Sequence, residues 1–160
     1  MGALKARVVT VSDRVSRGDA VDRSGPAAVE ALGGWGFVVD LVVVPDGEDS
    51  VEAALRDAVA AGASLVITTG GTGMTKRDLT PEGTRRVIER EAPGLAEAIR
   101  SSTFGSNPHG MLSRGVSGVV AETLIINLPG SVAGVTESLS VVGPALIHAV
   151  ELLLERPSAH

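Results

Sequence analysis

The chain has 160 residues, of which 44% are hydrophobic, 21% charged and only 2% aromatic, so its core must be built mainly from Ala, Val, Leu and Ile. Its formal charge of −5 excludes a general nucleic-acid binder, because affinity for phosphate backbones comes from clustered Lys and Arg, and the lack of cysteine excludes disulfides, thiolate metal sites and thiol nucleophiles. The length predicts a single domain over residues 1–156 with a frayed tail at 157–160, and no apolar run predicts a membrane span.

The first half of the chain alternates predicted strands with predicted helices. Apolar, β-branched runs predict three strands, at residues 6–12, 37–45 and 64–69. Two helices are predicted between them, one beginning at Ser24 and ending at Gly33–Gly34, the other beginning at Asp49 or Ser50 and ending before Gly62. Helical crossovers imply parallel pairing, so this order predicts an α/β fold: a doubly wound, mostly parallel sheet with helices on both faces, in three layers.

The second half is predicted to add further helices and two strands. A helix is expected from the cap Thr80, with Pro81 at its first position, to Pro93–Gly94, although Gly83 inside it costs about 0.5–1 kcal/mol relative to Ala. The other expected elements are a loop at 13–25, a helix at 94–103, a loop at 107–113, strands at 115–120 and 122–129 around a tight turn, and one or two helices over 131–155.

The stretch "VITTGGTGMTKRDLTPE", residues 66–82, places three glycines within four positions after a predicted strand. Such a loop removes side chains that would block a phosphate, and its backbone N–H groups can form a concave anion site. It matches neither the Walker loop nor the Rossmann fingerprint, and a tight turn explains it equally well. Ligands of open parallel sheets bind outside the carboxyl ends of the strands, so four loops are expected to converge there: 12–14, 45–46, 69–78 and 127–130.

Two aspartates in these loops favour a ligand over a simple turn. Asp78 beside a phosphate would repel it unless a cation bridged them, and Asp46 ends the neighbouring strand. Two carboxylates and a glycine loop indicate metal-assisted phosphoryl or nucleotidyl transfer. Taken singly, Asp46 is also typical of a turn and Asp78 of a helix N-terminus. Ser113–Arg114 could hold an anion or be a surface pair, and the three histidines show no metal-ligand spacing.

The ordered motifs of the chain resemble one known family. Seven pieces follow one another over nearly the whole length: "SDR", "DRSGP", "VPD", "TTGGTG…RDLTPE", "EREAPGL", "MLSR" and "TLIINLPGS". In this order they are similar to the MogA/MoaB family of molybdenum-cofactor biosynthesis proteins, which includes the smaller domain of gephyrin and of the plant cofactor-insertion proteins.

The resemblance implies an activity and its participants. Members of this family bind molybdopterin and Mg²⁺–ATP, transfer AMP to the terminal phosphate of the pterin and release pyrophosphate. The expected cofactor is Mg²⁺, with ATP as co-substrate, and a downstream metal-insertion protein takes the adenylylated product. The resemblance also implies a homotrimer or a dimer of trimers. The lack of cysteine favours a cytoplasmic protein, and the charge and the short apolar runs predict no nucleic-acid or membrane partner.

The resemblance implies a role for each matching residue. It makes Asp46 and Asp78 catalytic and places Mg²⁺ on both. It implies a nucleotide phosphate site at Thr69, Gly70, Gly71, Thr72, Gly73, Lys76 and Arg77. It implies pterin-side positions at Ser12, Asp13, Ser24, Gly25, Ser113, Arg114, Pro129 and Gly130. Glu122 would add negative charge at the pterin if the turn that carries it faced the site.

Three other functions remain open on the sequence. A carrier of the same fold would bind molybdopterin without transferring AMP. Related domains in nucleotide-processing proteins hydrolyse a pyrophosphate bond, usually in longer chains with a second catalytic domain. A structural trimerisation unit would not need two acidic residues beside the glycines. An adenylyl-transfer assay distinguishes the enzyme from all three.

Overall fold

The computed structural model describes residues 2–157 and places six strands in one sheet. The strands are β1 (Lys5–Val11), β2 (Val38–Val44), β3 (Leu65–Thr69), β4 (Arg90–Glu91), β5 (Ser117–Val120) and β6 (Thr123–Leu128). They lie in the order β2-β1-β3-β6-β5-β4; the first four are parallel, and β5 and β4 each run antiparallel to their neighbour. The predicted mostly parallel sheet is confirmed; among the described strands β5 runs opposite to the others, between β6 and β4.

The helices cover both faces of this sheet, as predicted. They are α1 (Asp13–Ser16), α2 (Ser24–Gly34), α3 (Glu48–Ala60), α4 (Thr80–Arg85), α5 (Pro93–Ser101) and α6 (Val132–Leu153), and Pro108–Leu112 forms a 3-10 turn. Leu65 and Ile67 of β3 pack with α2, α5 and α6 on one face, whereas Val66 packs with α3 on the other. Burial on both faces explains the apolar run at the start of β3, whereas Thr68 and Thr69 at its end are buried with their hydroxyls hydrogen-bonded.

The closing segment is one helix, α6, with Pro144 inside it. Its length and a mean hydropathy of 1.3 over its most apolar 18 residues would also suit a membrane span. However, Val135, Leu139, Val142 and Leu146 recur at helical spacing and are buried in the core against the sheet. The apolar character of α6 therefore has an explanation in the core of the protein.

Three expected segments differ from the structure. The helix from Thr80 ends at Arg85, not near 93–94, because the backbone N–H groups of Glu89 and Ala92 donate to carbonyls of β5 and draw this segment into the sheet as β4. Thr80 does not cap this helix as expected, because its hydroxyl donates to the carbonyl oxygen of Gly70. The expected loop at 13–25 contains α1, and the loop at 107–113 contains the 3-10 turn, each capped by a polar side chain at its start. Of the expected tail, residues 158–160 lie outside the described residues.

Gly83 allows α4 to pack directly on α3. A Cβ at this position would lie 2.7 Å from the carbonyl oxygen of Glu48 and 2.8 Å from the Cβ of Val51. The cost in helix propensity predicted from the sequence is therefore offset by close packing between two helices.

The two ends of the described chain meet at the amino ends of the parallel strands, opposite their carboxyl ends. Arg156 donates from Nη1 to the carbonyl oxygen of Gly2 at 3.3 Å, and Leu4 and Leu153 both pack against the same core cluster. The turn that carries Glu122 connects β5 to the start of β6 and lies at this same end. Glu122 consequently does not face the site at the other end of the strands.

A buried polar network connects β6 to α4. The Nδ2 of Asn127 donates to the hydroxyls of Thr68 and Thr84 at 3.0 Å each, and its Oδ1 accepts from the backbone N–H of Val116 at 3.1 Å. The Thr84 hydroxyl in turn donates to the carbonyl oxygen of Thr80 at 2.8 Å. Asn127, Thr68 and Thr84 are all buried, so water cannot replace a hydrogen bond that is lost between them, and the polar group would stay unpaired.

Asn127→Ala should lower the free energy of unfolding by about 2–4 kcal/mol, because it removes a buried side chain and the bonding partners of three groups. Urea unfolding followed by circular dichroism measures this. The control is Asn107→Ala, which loses one exposed cap of the 3-10 turn and should cost less than about 1 kcal/mol. Equal losses in the two variants would contradict an anchoring role for Asn127.

Candidate active site

The four loops expected at the carboxyl ends of the strands lie side by side. Thr69, the last residue of β3, is paired with Thr10 of β1 on one side and Leu128 of β6 on the other. Val11 of β1 is paired with Val44, the last residue of β2. The segments that follow these strands carry most of the candidate site residues.

The glycine loop has a backbone that favours glycine. Gly70 and Gly71 have φ angles of 96° and 66°, in the left-handed region that other residues rarely adopt. A Cβ on Gly70 would also collide with the carbonyl oxygen of Val11. The loop is tied to the start of α4, because the hydroxyl of Thr80 donates to the Gly70 carbonyl at 2.9 Å and its N–H donates to the Gly71 carbonyl at 3.1 Å.

The carboxylates of Asp46 and Asp78 both lie beside this loop. A Cβ on Gly71 would lie 3.3 Å from Oδ1 of Asp46, and a Cβ on Gly73 would lie 2.9 Å from Oδ2 of Asp78. Asp78 is held locally, since its Oδ2 accepts the N–H of Thr75 at 2.9 Å. The structure thus brings the two predicted acidic residues together with the glycine backbone.

Asp13, Asp46 and Arg77 form a cluster that connects three loops. The backbone N–H of Asp13 donates to Oδ2 of Asp46 at 2.9 Å, and the N–H of Asp46 donates to Oδ1 of Asp13 at 3.1 Å. Arg77 donates from Nε to Oδ2 of Asp13 at 3.0 Å and from Nη2 to the carbonyl oxygen of Asp46 at 2.7 Å. Arg77 therefore pairs with Asp13, and Lys76 beside it is an exposed cation without such a pair among the bonds described.

The acidic residues of this cluster have shifted pKa values in opposite directions. The hydrogen bond from the Arg77 guanidinium lowers the pKa of Asp13 below its ordinary value. Partial burial, followed by repulsion from Asp13 and Asp78, raises the pKa of Asp46. The ionised form of Asp46 is therefore disfavoured in the folded protein, as expected of a carboxylate that lacks a cation.

Two cavities flank the glycine loop. One, of about 370 Å³, is lined by the ends of β1 and β3 and the starts of α2 and α6, including Ser12, Ser24, Thr69, Gly130 and Ser131. The other, of about 330 Å³, lies between the loop, α5, the 3-10 turn and α6, including Thr72, Gly73, Ser113, Pro129 and Ser131. The two cavities share Ser131. Five of the predicted pterin-side residues line one cavity or the other, whereas Asp13, Gly25 and Arg114 line neither.

Several polar residues of the first cavity bond to one another. Ser24 and Thr69 share a hydrogen bond of 2.8 Å between their hydroxyls. The carboxylate of Asp22 accepts from the hydroxyl of Thr10 at 2.8 Å and from the N–H of Gly25 at 3.0 Å. Gly25 is buried, and a Cβ at this position would collide with the carboxylate of Asp22 and the hydroxyl of Thr10. Ser12 caps α1 by accepting the N–H of Val15.

Three residues of the site region were missed in the sequence. Asp22 precedes Gly25 by three residues and Ser131 directly precedes α6, where its hydroxyl accepts the N–H of Gly134; both patterns are typical of helix caps. Glu82 pairs with Arg114, which lies 32 residues away, so no local signal could have identified it.

The fold and the glycine loop define the class: a doubly wound α/β protein with its candidate site at the carboxyl ends of the parallel strands. The chain belongs to the family described as probable molybdopterin binding domain, which matches residues 7–148. The resemblance inferred from the sequence motifs is therefore confirmed.

Proteins with related sequences and structures support this assignment. The chain is 36% identical to molybdopterin adenylyltransferase of Helicobacter pylori strain J99, over 96% of this chain and 90% of that protein. It is 37% identical to gephyrin of Dictyostelium discoideum over 95% of this chain, but it spans only 23% of gephyrin. The structure of the molybdopterin biosynthesis Mog protein from Mycobacterium ulcerans superposes with a TM-score of 0.91, at 41% identity over 98% of this chain and 100% of that one.

Asp46→Asn should be more stable than the wild type at pH 7.5. Folding raises the pKa of Asp46. At pH values above the folded pKa, its negative charge therefore lowers the free energy of unfolding, and at pH values below the unfolded pKa this effect is absent. The uncharged amide can still accept the N–H of Asp13. The gain should therefore disappear as the pH falls to about 4, near the ordinary pKa of aspartate, and urea midpoints across this range measure it.

Asp13→Asn is the control with the opposite sign. The pKa of Asp13 is lowered on folding, so its charge stabilises the fold above the unfolded pKa, and this contribution is lost as the pH falls through the folded pKa. This variant should be less stable than the wild type at pH 7.5. Destabilisation by Asp46→Asn at pH 7.5 would contradict the account of the acidic residues.

Proposed function

We propose that this protein is a molybdopterin adenylyltransferase, which transfers AMP from ATP to the terminal phosphate of molybdopterin and releases pyrophosphate. The observation that carries the proposal is the position of the Asp46 and Asp78 carboxylates, both beside the Gly71–Gly73 backbone. Support comes from relatives that bear this name and align over nearly all of both chains.

The nucleotide phosphates are assigned to the glycine loop. The absence of side chains at Gly70, Gly71 and Gly73 lets phosphate oxygens approach backbone N–H groups. Lys76 is the cation available to a phosphate at this loop, whereas Arg77 is already bonded to Asp13 and to the Asp46 carbonyl. We therefore assign Arg77 to holding the loops together and Lys76 to offsetting phosphate charge.

The acidic residues fit Mg²⁺. Within residues 2–157, no three or more His, Cys, Asp or Glu side chains are grouped so that they could hold a metal ion. The protein would therefore contribute two ligands to Mg²⁺, the carboxylates of Asp46 and Asp78. Mg²⁺ is commonly bound by one or two carboxylates together with substrate phosphates and waters. Bound there, it would neutralise charge on the phosphate oxygens.

In this reaction the protein positions the two substrates, and no side chain has to form a covalent bond to either of them. An oxygen of the molybdopterin phosphate forms a new bond to the α-phosphorus of ATP, while the bond from that phosphorus to the β-phosphate oxygen breaks and pyrophosphate leaves. The nucleophile belongs to the substrate, so no protein nucleophile is needed. The chain holds two anions in line with each other, and this positioning lowers the barrier.

Molybdopterin is assigned to the cavities beside the loop. The cavity that includes Ser113 is bounded by Ile99 and Leu112, which suit a ring system. The other cavity, bordered by Ser12, Ser24 and Gly130, is polar at its base, where the hydroxyls of Ser24 and Thr69 meet. We propose that the substrate reaches from the cavity that includes Ser113 to the glycine loop.

Other features implied by the resemblance are proposals at the level of the whole protein. We propose that residues 1–156 form one domain and that the protein is a cytoplasmic homotrimer, or a dimer of trimers, which passes its product to a metal-insertion protein. Light scattering of the purified protein tests the trimer directly.

Asp78→Asn should lower kcat for adenylyl transfer by about a hundredfold or more, because the Mg²⁺ site loses one of its two charges. The assay combines purified protein, Mg²⁺–ATP and fresh molybdopterin, and follows adenylylated molybdopterin and pyrophosphate. Asp49→Asn is the matched control, since it removes an exposed carboxylate that pairs only with Arg86 in the ion pairs described, and its rate should equal that of the wild type.

The wild-type result separates the alternatives. Equal amounts of adenylylated pterin and pyrophosphate support the transferase. Tight molybdopterin binding without product would instead identify a carrier, and phosphate-bond hydrolysis without adenylylated pterin would identify a hydrolase. Equal activity of Asp78→Asn and the wild type would refute the role given to the acidic residues.

A further inference from the structure

The side chain of Arg114 is bonded to both ends of the loop that carries Asp78. Its Nε donates to the carbonyl oxygen of Gly73 at 2.8 Å, and its Nη2 donates to the carbonyl oxygen of Asp78 at 2.5 Å. Its Nη1 pairs with the carboxylate of Glu82 in the first turn of α4. The backbone N–H of Arg114 also donates to the carbonyl of Thr72 at 2.8 Å.

These bonds leave little of the guanidinium for a ligand. A guanidinium has five N–H donors, and the four side-chain bonds of Arg114 are directed at Gly73, Asp78 and Glu82. The side chains of Arg114 and Glu82 are only 31% and 30% exposed. The hydrogen bond between them lowers the pKa of Glu82 and raises that of Arg114, as in a stable ion pair.

Apart from Arg114, the loop between the two held carbonyls is supported by the side chain of Arg77, which bonds to the carboxylate of Asp13 and to the carbonyl oxygen of Asp46. Residues 74–77 are exposed, and the bonds between Thr75 and Asp78 lie within the turn itself. The bonds of Arg77 hold this turn to the loops that follow β1 and β2, but they do not connect its two ends to α4. Arg114 supplies that connection, and Glu82 fixes the orientation of the guanidinium.

We propose that Arg114 and Glu82 are positioning residues that hold the Asp78 carboxylate at the glycine loop, and that neither charged group contacts substrate. The proposal deepens the proposed function and rests on its assignment of Mg²⁺–ATP to this loop. It replaces the direct pterin contact expected for Arg114 by an action through Asp78. Loss of the ion pair should therefore weaken the use of Mg²⁺ and spare the binding of molybdopterin.

The first test measures the loop without any substrate. Arg114→Lys and Glu82→Gln keep the backbone and nearly the same volume, and Arg114→Lys also keeps the charge. Hydrogen–deuterium exchange of the peptide that covers residues 70–79 should be about tenfold faster in both variants than in the wild type. The double variant should exchange no faster than the singles, because the two residues act as one unit.

The second test measures turnover. In both variants the Mg²⁺ concentration that gives half the maximal rate should rise by about tenfold, whereas KM for molybdopterin should stay within about twofold. Asp49→Asn is again the control, because it makes the same charge change as Glu82→Gln at an exposed ion pair of α3. It should leave both the loop exchange and the Mg²⁺ dependence unchanged.

Two results would overturn the proposal. One is unchanged exchange of residues 70–79 in Arg114→Lys and Glu82→Gln. The other is a large rise in KM for molybdopterin in Arg114→Lys with a normal Glu82→Gln, which would mean that Arg114 binds the pterin. If the wild type transfers no AMP, the proposed function fails on that result alone, and the exchange experiment still decides whether Arg114 and Glu82 fix the loop.

Discussion

The hydrogen bond from the Thr80 hydroxyl to the Gly70 carbonyl determines where the candidate site lies. Thr80 is fully buried, so its position is set by the packing of α4 and not by the loop. Thr84 and Asn127 continue the network from α4 to the central strand β6. The glycine loop is thus held in register with the sheet through buried polar groups, each of which would lose its partner if another moved.

Charge around the loop is arranged so that two carboxylates stay open. Arg77 pairs with Asp13 and also bonds to the main-chain carbonyl of Asp46, and Arg114 pairs with Glu82 and bonds to that of Asp78. Each arginine therefore fixes the backbone of a site aspartate, while within residues 2–157 neither aspartate forms an ion pair. A site of this kind is positioned by cations but keeps its negative charge for a ligand.

Local patterns were sufficient to predict most of the fold. The apolar start of β3 and the glycines that end α2 have causes that lie within a few residues, and both elements are present. Ser24, expected to cap α2, instead lies within the helix and bonds to Thr69. The expected helix beyond Arg85 is wrong because β4 forms through bonds to β5, which is distant in sequence. The nearness of Asp46 and Asp78 followed from parallel strands, but the contacts of Arg114 depend on packing across 32 to 41 residues. Contacts between residues so far apart in the chain produce no local sequence pattern from which they could be predicted.

The meeting of Gly2 and Arg156 bears on how this fold can be combined with others. Both ends of the described chain lie beside the amino ends of the parallel strands, whereas the candidate site lies at their carboxyl ends. A polypeptide joined at either end would leave the loops around the glycines uncovered and the sheet unbroken. The geometry therefore suits both a chain of this length and one in which the same fold is a small fraction of a longer protein, as the 23% share of gephyrin illustrates.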